Sequence, residues 1–309
     1  MSRVPFNSFS RLSSIPLSSL LIVSSDSCKL FINMQGHYLY RIPKNLLFDN
    51  GVFFRKYKRY MRYMLCSIPA RKTLNQNMKS QAITSEQMYK IEDNGHRILG
   101  MKRLLMMENA GHGTADLLLR EFDSTIKKKK IVAICGGGNN GGDAFVACRH
   151  LAASGVMDIS VVLLTPPGEI RTPEAKTNWI ILKKMKSIKV IFSKDSALGN
   201  LGQFFEREIK GADIILDGLF GTGIKGKIRE PYSSAIDRIN KSNAFVMAVD
   251  LPSGLDPNTG NASNKCIKAN ATITFHRMKK GLKLAKKYTG RIQVERIGIP
   301  PKAEHGVLT

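Results

Sequence analysis

The sequence predicts an α/β domain over residues 82–305, a doubly wound, mainly parallel sheet with helices on both faces. Three observations predict it. Short, nearly unbroken apolar runs alternate with helical patterns, as strands buried on both faces require. No repeat or linker interrupts the alternation. Loops rich in glycine or polar residues follow several of the apolar runs, which is where open parallel sheets bind ligands.

Taken in order, Thr84-Ser-Glu-Gln87 offers a helix cap followed by a carboxylate and an amide in the first turn. Met88, Ile91, Ile98, Leu99, Leu104, Leu105 and Met106 supply the apolar positions of one or two helices, and 113–126 reads as another. The run ending at Cys135 is a compact strand, followed by a glycine loop and a helix from Asp143 to Ser154. Further strands are expected at Ile159–Leu164, Ile188–Phe192, Ala212–Leu216, Ala244–Val249, Ala271–Phe275 and Ile292–Val294. Helices are expected at Pro173–Lys186, Leu198–Ile209 and Pro231–Asn240.

Residues 1–80 differ. They are serine-rich in SSIPLSSLLIVSSDS, basic and aromatic in FFRKYKRYMRYM, and hold 13 Lys/Arg against Asp26 and Asp49 alone. The expectation is a poorly structured basic extension. It reads either as a targeting segment, acid-poor as transit peptides are, or as a mis-called start upstream of Met78. A secretory signal fits less well, because its apolar stretch is short and broken by serines. The expected location is cytoplasmic, or mitochondrial if the extension is a genuine transit peptide.

The chain has 309 residues and a net charge of +24. Such a surface suits nucleic acid or a phosphorylated small molecule, but solvated lysines are the favoured account of it, and nucleic acid is not the expected partner. No run of about 18 apolar residues occurs, so no membrane helix is expected. The five cysteines show no paired spacing, which argues against a zinc site or a disulfide framework and for a reducing compartment.

The loop ICGGGNNGGDAF, residues 134–145, carries the strongest local signal. Gly136, Gly138 and Gly141 match the dinucleotide spacing. However, the second strand lacks the terminal acid of that fingerprint, and Asp143 near a helix N-terminus would repel a pyrophosphate. An ordinary nicotinamide dehydrogenase therefore fits poorly, and no Gly-Lys-Ser/Thr makes a Walker loop. Three more strands run into unusual loops: Asp217-Gly-Leu-Phe-Gly-Thr-Gly223, Asp250-Leu-Pro-Ser-Gly-Leu-Asp256 and His276-Arg-Met-Lys-Lys-Gly281. Asn140, Asp217 and Ser253 offer side-chain oxygens on neighbouring loops. One carboxylate with neutral oxygens suits a monovalent cation, although each residue is also ordinary turn chemistry. Asp250 ends an apolar strand, where a partly desolvated carboxylate suits proton transfer. Lys225, Lys227 and Arg229 are candidates for phosphate oxygens or for plain surface charge. His150 and His276 read as structural or exposed.

Together GGGNNGGD, DGLFGTG and AVDLPSGLD resemble the signatures of the YjeF N-terminal domain family, the NAD(P)HX epimerases. Ile83–Met88, Met107–Gly111, Glu230-Pro-Tyr232, Thr274-Phe275 and Lys280-Gly-Leu282 extend the resemblance over about 82–300. It implies a three-layer Rossmann-like fold, often dimeric. It also implies interconversion of the R and S forms of NADH or NADPH hydrated at C6 of the nicotinamide ring. Carried over by position, one potassium ion per subunit falls to Asn140, Asp217 and Ser253. Substrate contacts fall to Asn139, Asn140, Gly141, Gly142 and Asp143, to Gly221, Thr222, Gly223, Ile224, Lys225, Gly226 and Lys227, and to Asp250, the acid-base candidate. A separate dehydratase is the implied pathway partner. Ala144 and the His276–Lys279 stretch depart from the usual pattern. A scaffold or RNA-binding module on the same fold is the competing expectation.

Overall fold

The computed structural model describes residues 20–24, 27–31, 82–192, 201–223 and 226–308. The chain divides into two units, Met1–Leu74 and Asn75–Thr309. In the first, β1 (Leu20–Ser24) pairs antiparallel with β2 (Ser27–Phe31). The other expectations for residues 1–80 lie outside the described residues.

The second unit carries seven strands: β3 (Lys130–Cys135), β4 (Asp158–Leu163), β5 (Ile188–Phe192), β6 (Ile214–Gly218), β7 (Phe245–Val249), β8 (Ala271–Phe275) and β9 (Arg291–Glu295). Every pair is parallel, and the order is β5-β4-β3-β6-β7-β8-β9. The chain winds outward from β3 in one direction and then from β6 in the other, so the switch point lies between these two strands.

Alternation along β3 explains the three layers. Ile131, Ala133 and Cys135 join a large core with α1 (Ser85–Arg97), α2 (Arg103–Phe122), α3 (Asn139–Ala153) and α4 (Pro173–Lys184). Val132 and Ile134 point the other way, into a smaller core with α5 (Leu201–Lys210) and α6 (Tyr232–Lys241). Two short helices, α7 (Lys280–Leu284) and α8 (Lys286–Thr289), precede β9 and were not anticipated.

Thr84 forms a full capping box with Gln87, as the sequence suggested. Two boundaries differ. The helix expected at 113–126 begins ten residues earlier, at Arg103, because Met106, Met107 and Ala110 pack into the core. Leu104 and Leu105, read as core-facing, are exposed.

The helix expected from Asp143 begins at Asn139, so Asp143 sits one turn inside it rather than at its N-terminus. Asn-Asn-Gly-Gly is poor helix-forming sequence, and tertiary crowding overrides it. A Cβ on Gly141 would lie 2.0 Å from the Gly136 carbonyl oxygen, and one on Gly136 would lie 2.2 Å from that of Leu219. Only bare backbone lets the first turn of α3 close down on the switch point.

Gly141→Ala is therefore expected to cost about 1–3 kcal/mol of folding stability, read from urea-unfolding midpoints. An unchanged midpoint would show that the loop shifts without strain.

Candidate active site

Along the carboxyl ends of the strands runs a cleft of about 710 Å³. Asn139, Asn140 and Asp143 of α3 line it, with Leu219–Gly223 after β6, Asp250 after β7, and Phe275 and Lys279 at the end of β8. From α1 come Ser85, Met88, Tyr89 and Glu92. Their spacing puts them on one helical stripe. Arg171 and Thr172, before α4, complete the rim.

Asp250 adopts a left-handed backbone conformation, φ 63°, uncommon for a residue with a side chain. Its N–H donates to the Ile273 carbonyl at 2.8 Å, holding the loop against β8. Lys279 Nζ lies 2.5 Å from Asp250 Oδ1 and is 1 % exposed. The same ammonium donates to Thr274 Oγ1 at 3.0 Å and to the Phe275 carbonyl at 2.9 Å, so all three of its protons are used. Asp250 Oδ1 also accepts from Thr274 Oγ1 and the Phe275 N–H. A remote segment fixes Lys279 in turn: the Ile83 N–H donates to Met278 O at 2.8 Å, and the Lys280 N–H donates to Ile83 O at 2.9 Å.

Two further carboxyls face this pair. Asp143 is held well above the usual carboxylate range by burial, with the neighbouring Asp250 and Glu92 carboxylates adding to the effect and Lys279 opposing it. Burial likewise pushes Glu92 up to about 7, with Lys279 and Arg103 pulling down and Asp250 pushing up. Glu92 touches the open cleft, yet dense protein around its carboxyl withholds most of its hydration.

Asp217 is fully buried. Its Oδ1 accepts from Ser253 Oγ at 2.6 Å, and its Oδ2 from the Ser253 N–H at 2.8 Å. Burial pushes its carboxyl up to about 6, while the bonds from Ser253 and the Leu219 N–H pull it down. Ser253 Oγ also accepts from the Phe220 N–H at 2.9 Å. Asn140 is 6 % exposed, and neither Oδ1 nor Nδ2 has a partner among the described residues. A Cβ on Gly221 would sit 3.5 Å from that Oδ1.

The sequence candidates thus divide. Asn139, Asn140, Asp143, Gly221, Thr222, Gly223 and Asp250 line the cleft. Asp217 and Ser253 are locked together beneath it. Gly141 and Gly142 are buried packing positions, where a Cβ on Gly142 would strike Met107 Sδ at 2.7 Å. Gly226, Lys227 and Arg229 are exposed and do not line the cleft. Ile224 and Lys225 lie outside the described residues. His276 is buried against Glu304 at 2.8 Å, a structural role.

Glu92, Arg171 and Lys279 were missed. Lys279 reads as surface charge in Met-Lys-Lys-Gly, and Glu92 as one acid among several on an amphipathic helix.

A cleft of this kind, crossing the switch point and floored by an acid cluster, defines a small-molecule enzyme of the α/β class. Residues 103–281 match the family described as YjeF-related protein N-terminus, and the chain belongs to that family. It is 50% identical over 226 residues to the NAD(P)H-hydrate epimerase of Cenarchaeum symbiosum, covering 73% of this chain and 99% of that protein. With the NAD(P)H-hydrate epimerase of Nitrosopumilus maritimus it shares 44% identity over the same shares. It also matches 38% of the length of the bifunctional NAD(P)H-hydrate repair enzyme Nnr of Methanothermobacter thermautotrophicus, at 45% identity over 213 residues, 67% of this chain. The crystal structure of yeast ynu0, YNL200c, has the same fold, with a TM-score of 0.59 and 24% identity, covering 69% of this chain and 87% of that one.

The raised Glu92 carboxyl has a measurable consequence. Between about pH 4.5 and about 7 it is ionised in the unfolded chain but largely protonated in the folded one. The folded state then binds more protons, and this group's contribution to stability falls as pH rises through that window. Glu92→Gln should gain stability relative to wild type at pH 8 and not at pH 4, as read from urea midpoints. An equal difference at both would remove the assignment.

Proposed function

We propose that this protein is an NAD(P)H-hydrate epimerase, interconverting the R and S forms of NADHX and NADPHX. The observation that carries this is Asp250, a carboxylate held by a buried lysine at the cleft wall, together with full-length similarity to relatives of that name.

The first turn of α3 presents the N–H groups of Asn139 and Asn140 without helical acceptors at the cleft, and Arg171 stands beside Gly138. Both suit the pyrophosphate of a dinucleotide. Gly221–Gly223 provide backbone a substrate can approach closely. The nicotinamide ring then lies against Phe275, with its hydroxylated carbon toward Asp250. Inverting that carbon means breaking one bond and remaking it on the other face, with a proton moved each way. Asp250 holds or accepts that proton, and Lys279 fixes the carboxylate's position.

Potassium is the family's implied ion, and the residues fit it. Asn140 has a buried amide oxygen with no partner among the described residues, facing Gly221 on the loop that Asp217 and Ser253 tether. When bound, the ion supplies a fixed positive charge that ties these loops to a substrate phosphate. The dehydratase that consumes the S form is a separate pathway partner in this reading. A homodimer is supported by the exposed apolar side chains of Tyr89 on α1, Ile98 just after it and Leu105 in the first turn of α2.

Supplied with R-NADHX and an S-specific dehydratase, the protein should speed NADH recovery beyond the spontaneous rate. Asp250→Asn, which keeps an oxygen toward Lys279, should lower kcat at least ~100-fold while the fold is retained, and an undiminished rate would sink the assignment. For the ion, the melting temperature should rise in potassium chloride over choline chloride. Asn140→Ala should abolish that rise, and its persistence would place the ion elsewhere.

A further inference from the structure

We propose that Glu92 is the second proton-transfer residue of this epimerase, serving the face of the nicotinamide ring opposite Asp250. The proposal rests on the epimerase reading above and extends it to a residue outside the glycine-loop motifs.

Epimerisation sets the requirement. The carbon to be inverted carries a hydroxyl and is bonded to the ring nitrogen. If the hydroxyl leaves from one face and water returns on the other, each face needs a group that can handle a proton. Asp250 is fixed by Lys279 on the wall formed by β7 and β8. Glu92 comes from a different element, α1, whose Ser85, Met88 and Tyr89 line the same cleft. The hydrogen bonds between Ile83 and the Met278–Lys280 segment fix the start of α1 relative to Lys279.

Glu92 is also uncommitted. Among the described residues no hydrogen bond or ion pair holds its carboxyl, whereas the adjacent Asp93 is paired with Arg97 and Arg103. The charged and titratable groups facing it are Arg103 of α2, Asp143 of α3, Glu174 of α4, Asp250 and Lys279. Among these, burial holds Glu92 near neutrality, where a carboxyl can both give and take a proton. Asp143 is pushed up as well, but it lies deeper, in the second turn of α3, and suits a neutral hydrogen-bond donor to the substrate.

A second observation points the same way. Beside the cleft, sharing part of its wall, is an open recess of about 70 Å³. Glu92, Asn139, Asp143 and Phe275 line both spaces. That exceeds the roughly 10–15 Å³ that a water needs, and Glu92, Asn139 and Asp143 offer it polar partners. Water lost on one side of the ring therefore has a place beside Glu92.

The step balances without an outside reactant. Protonated Glu92 gives its proton to the leaving hydroxyl. The carbon–oxygen bond breaks, and the ring-nitrogen lone pair forms a carbon–nitrogen double bond. Water adds from the opposite face, the electron pair returns to nitrogen, and the surplus proton goes to Asp250. Starting from the other epimer, the two carboxyls exchange roles. Nothing is oxidised or reduced.

The test is Glu92→Gln in the full chain, with Glu92→Asp beside it, assayed on R-NADHX with an S-specific dehydratase across pH, and with wild type run in H2(18)O. Glu92→Gln should reduce kcat ~100-fold with KM within about threefold, and should lose the pH-rate limb near neutrality. Glu92→Asp should keep that limb with part of the rate. Oxygen-18 should enter the substrate hydroxyl faster than it does without enzyme. Glu92 is overturned by a Gln variant that folds, as judged by circular dichroism, and keeps kcat within threefold, or that loses only KM. It is overturned equally by enzymatic turnover without label uptake. An inactive wild type would instead remove the epimerase reading itself, so the two failures are distinguishable.

Discussion

One buried ammonium keeps three carboxyl groups in a single cleft. Lys279 Nζ, 1 % exposed, spends its three protons on Asp250, Thr274 and the Phe275 carbonyl. Its charge also reaches Glu92 and Asp143, opposing the rise that burial imposes on both. Without it, Asp250, Glu92 and Asp143 would face one another as an uncompensated acidic cluster in a poorly hydrated space. The pair itself is held mostly by hydrogen bonds that leave neither ion without partners, the condition under which a buried ion pair is tolerated.

The rest of the site is a set of tethers around that charge. Ser253 joins the loop after β7 to Asp217 at the end of β6, and through Phe220 to the loop that follows. The Ile83 bridge ties the segment before α1 to the end of β8. Bare glycines let α3 start against the switch point. Each tether crosses between elements distant in sequence, so the cleft's shape belongs to the folded domain and not to any one loop. The proposed chemistry follows the same division: phosphate-binding backbone on α3 and the β6 loop, and proton-transfer groups after β7 and on α1.

Much of this was legible beforehand. The seven apolar runs located all seven strands of the parallel sheet, because strands buried on both faces leave an unmistakable composition. The helix cap at Thr84 was legible because its hydrogen bond is local. The boundaries of α2 and α3 were not. In both, packing outweighed weak local preference: Met106 and Ala110 drew α2 backward, and the crowding of Gly136 and Gly141 drew α3 onto Asn139. Asn140, Asp217, Ser253 and Asp250 stood out because their motifs are rare. Lys279 and Glu92 did not, because nothing nearby separates Lys279 from Lys280, or Glu92 from Asp93.

The sequence by itself determined the sheet, its two cores and the strand ends where polar groups gather, since alternation and turn chemistry are short-range properties. Tertiary structure decided which of two adjacent lysines turns inward and which acid on α1 faces the cleft. Those choices rest on backbone bonds to Ile83 and on the face α1 buries, contacts that no local window of residues contains.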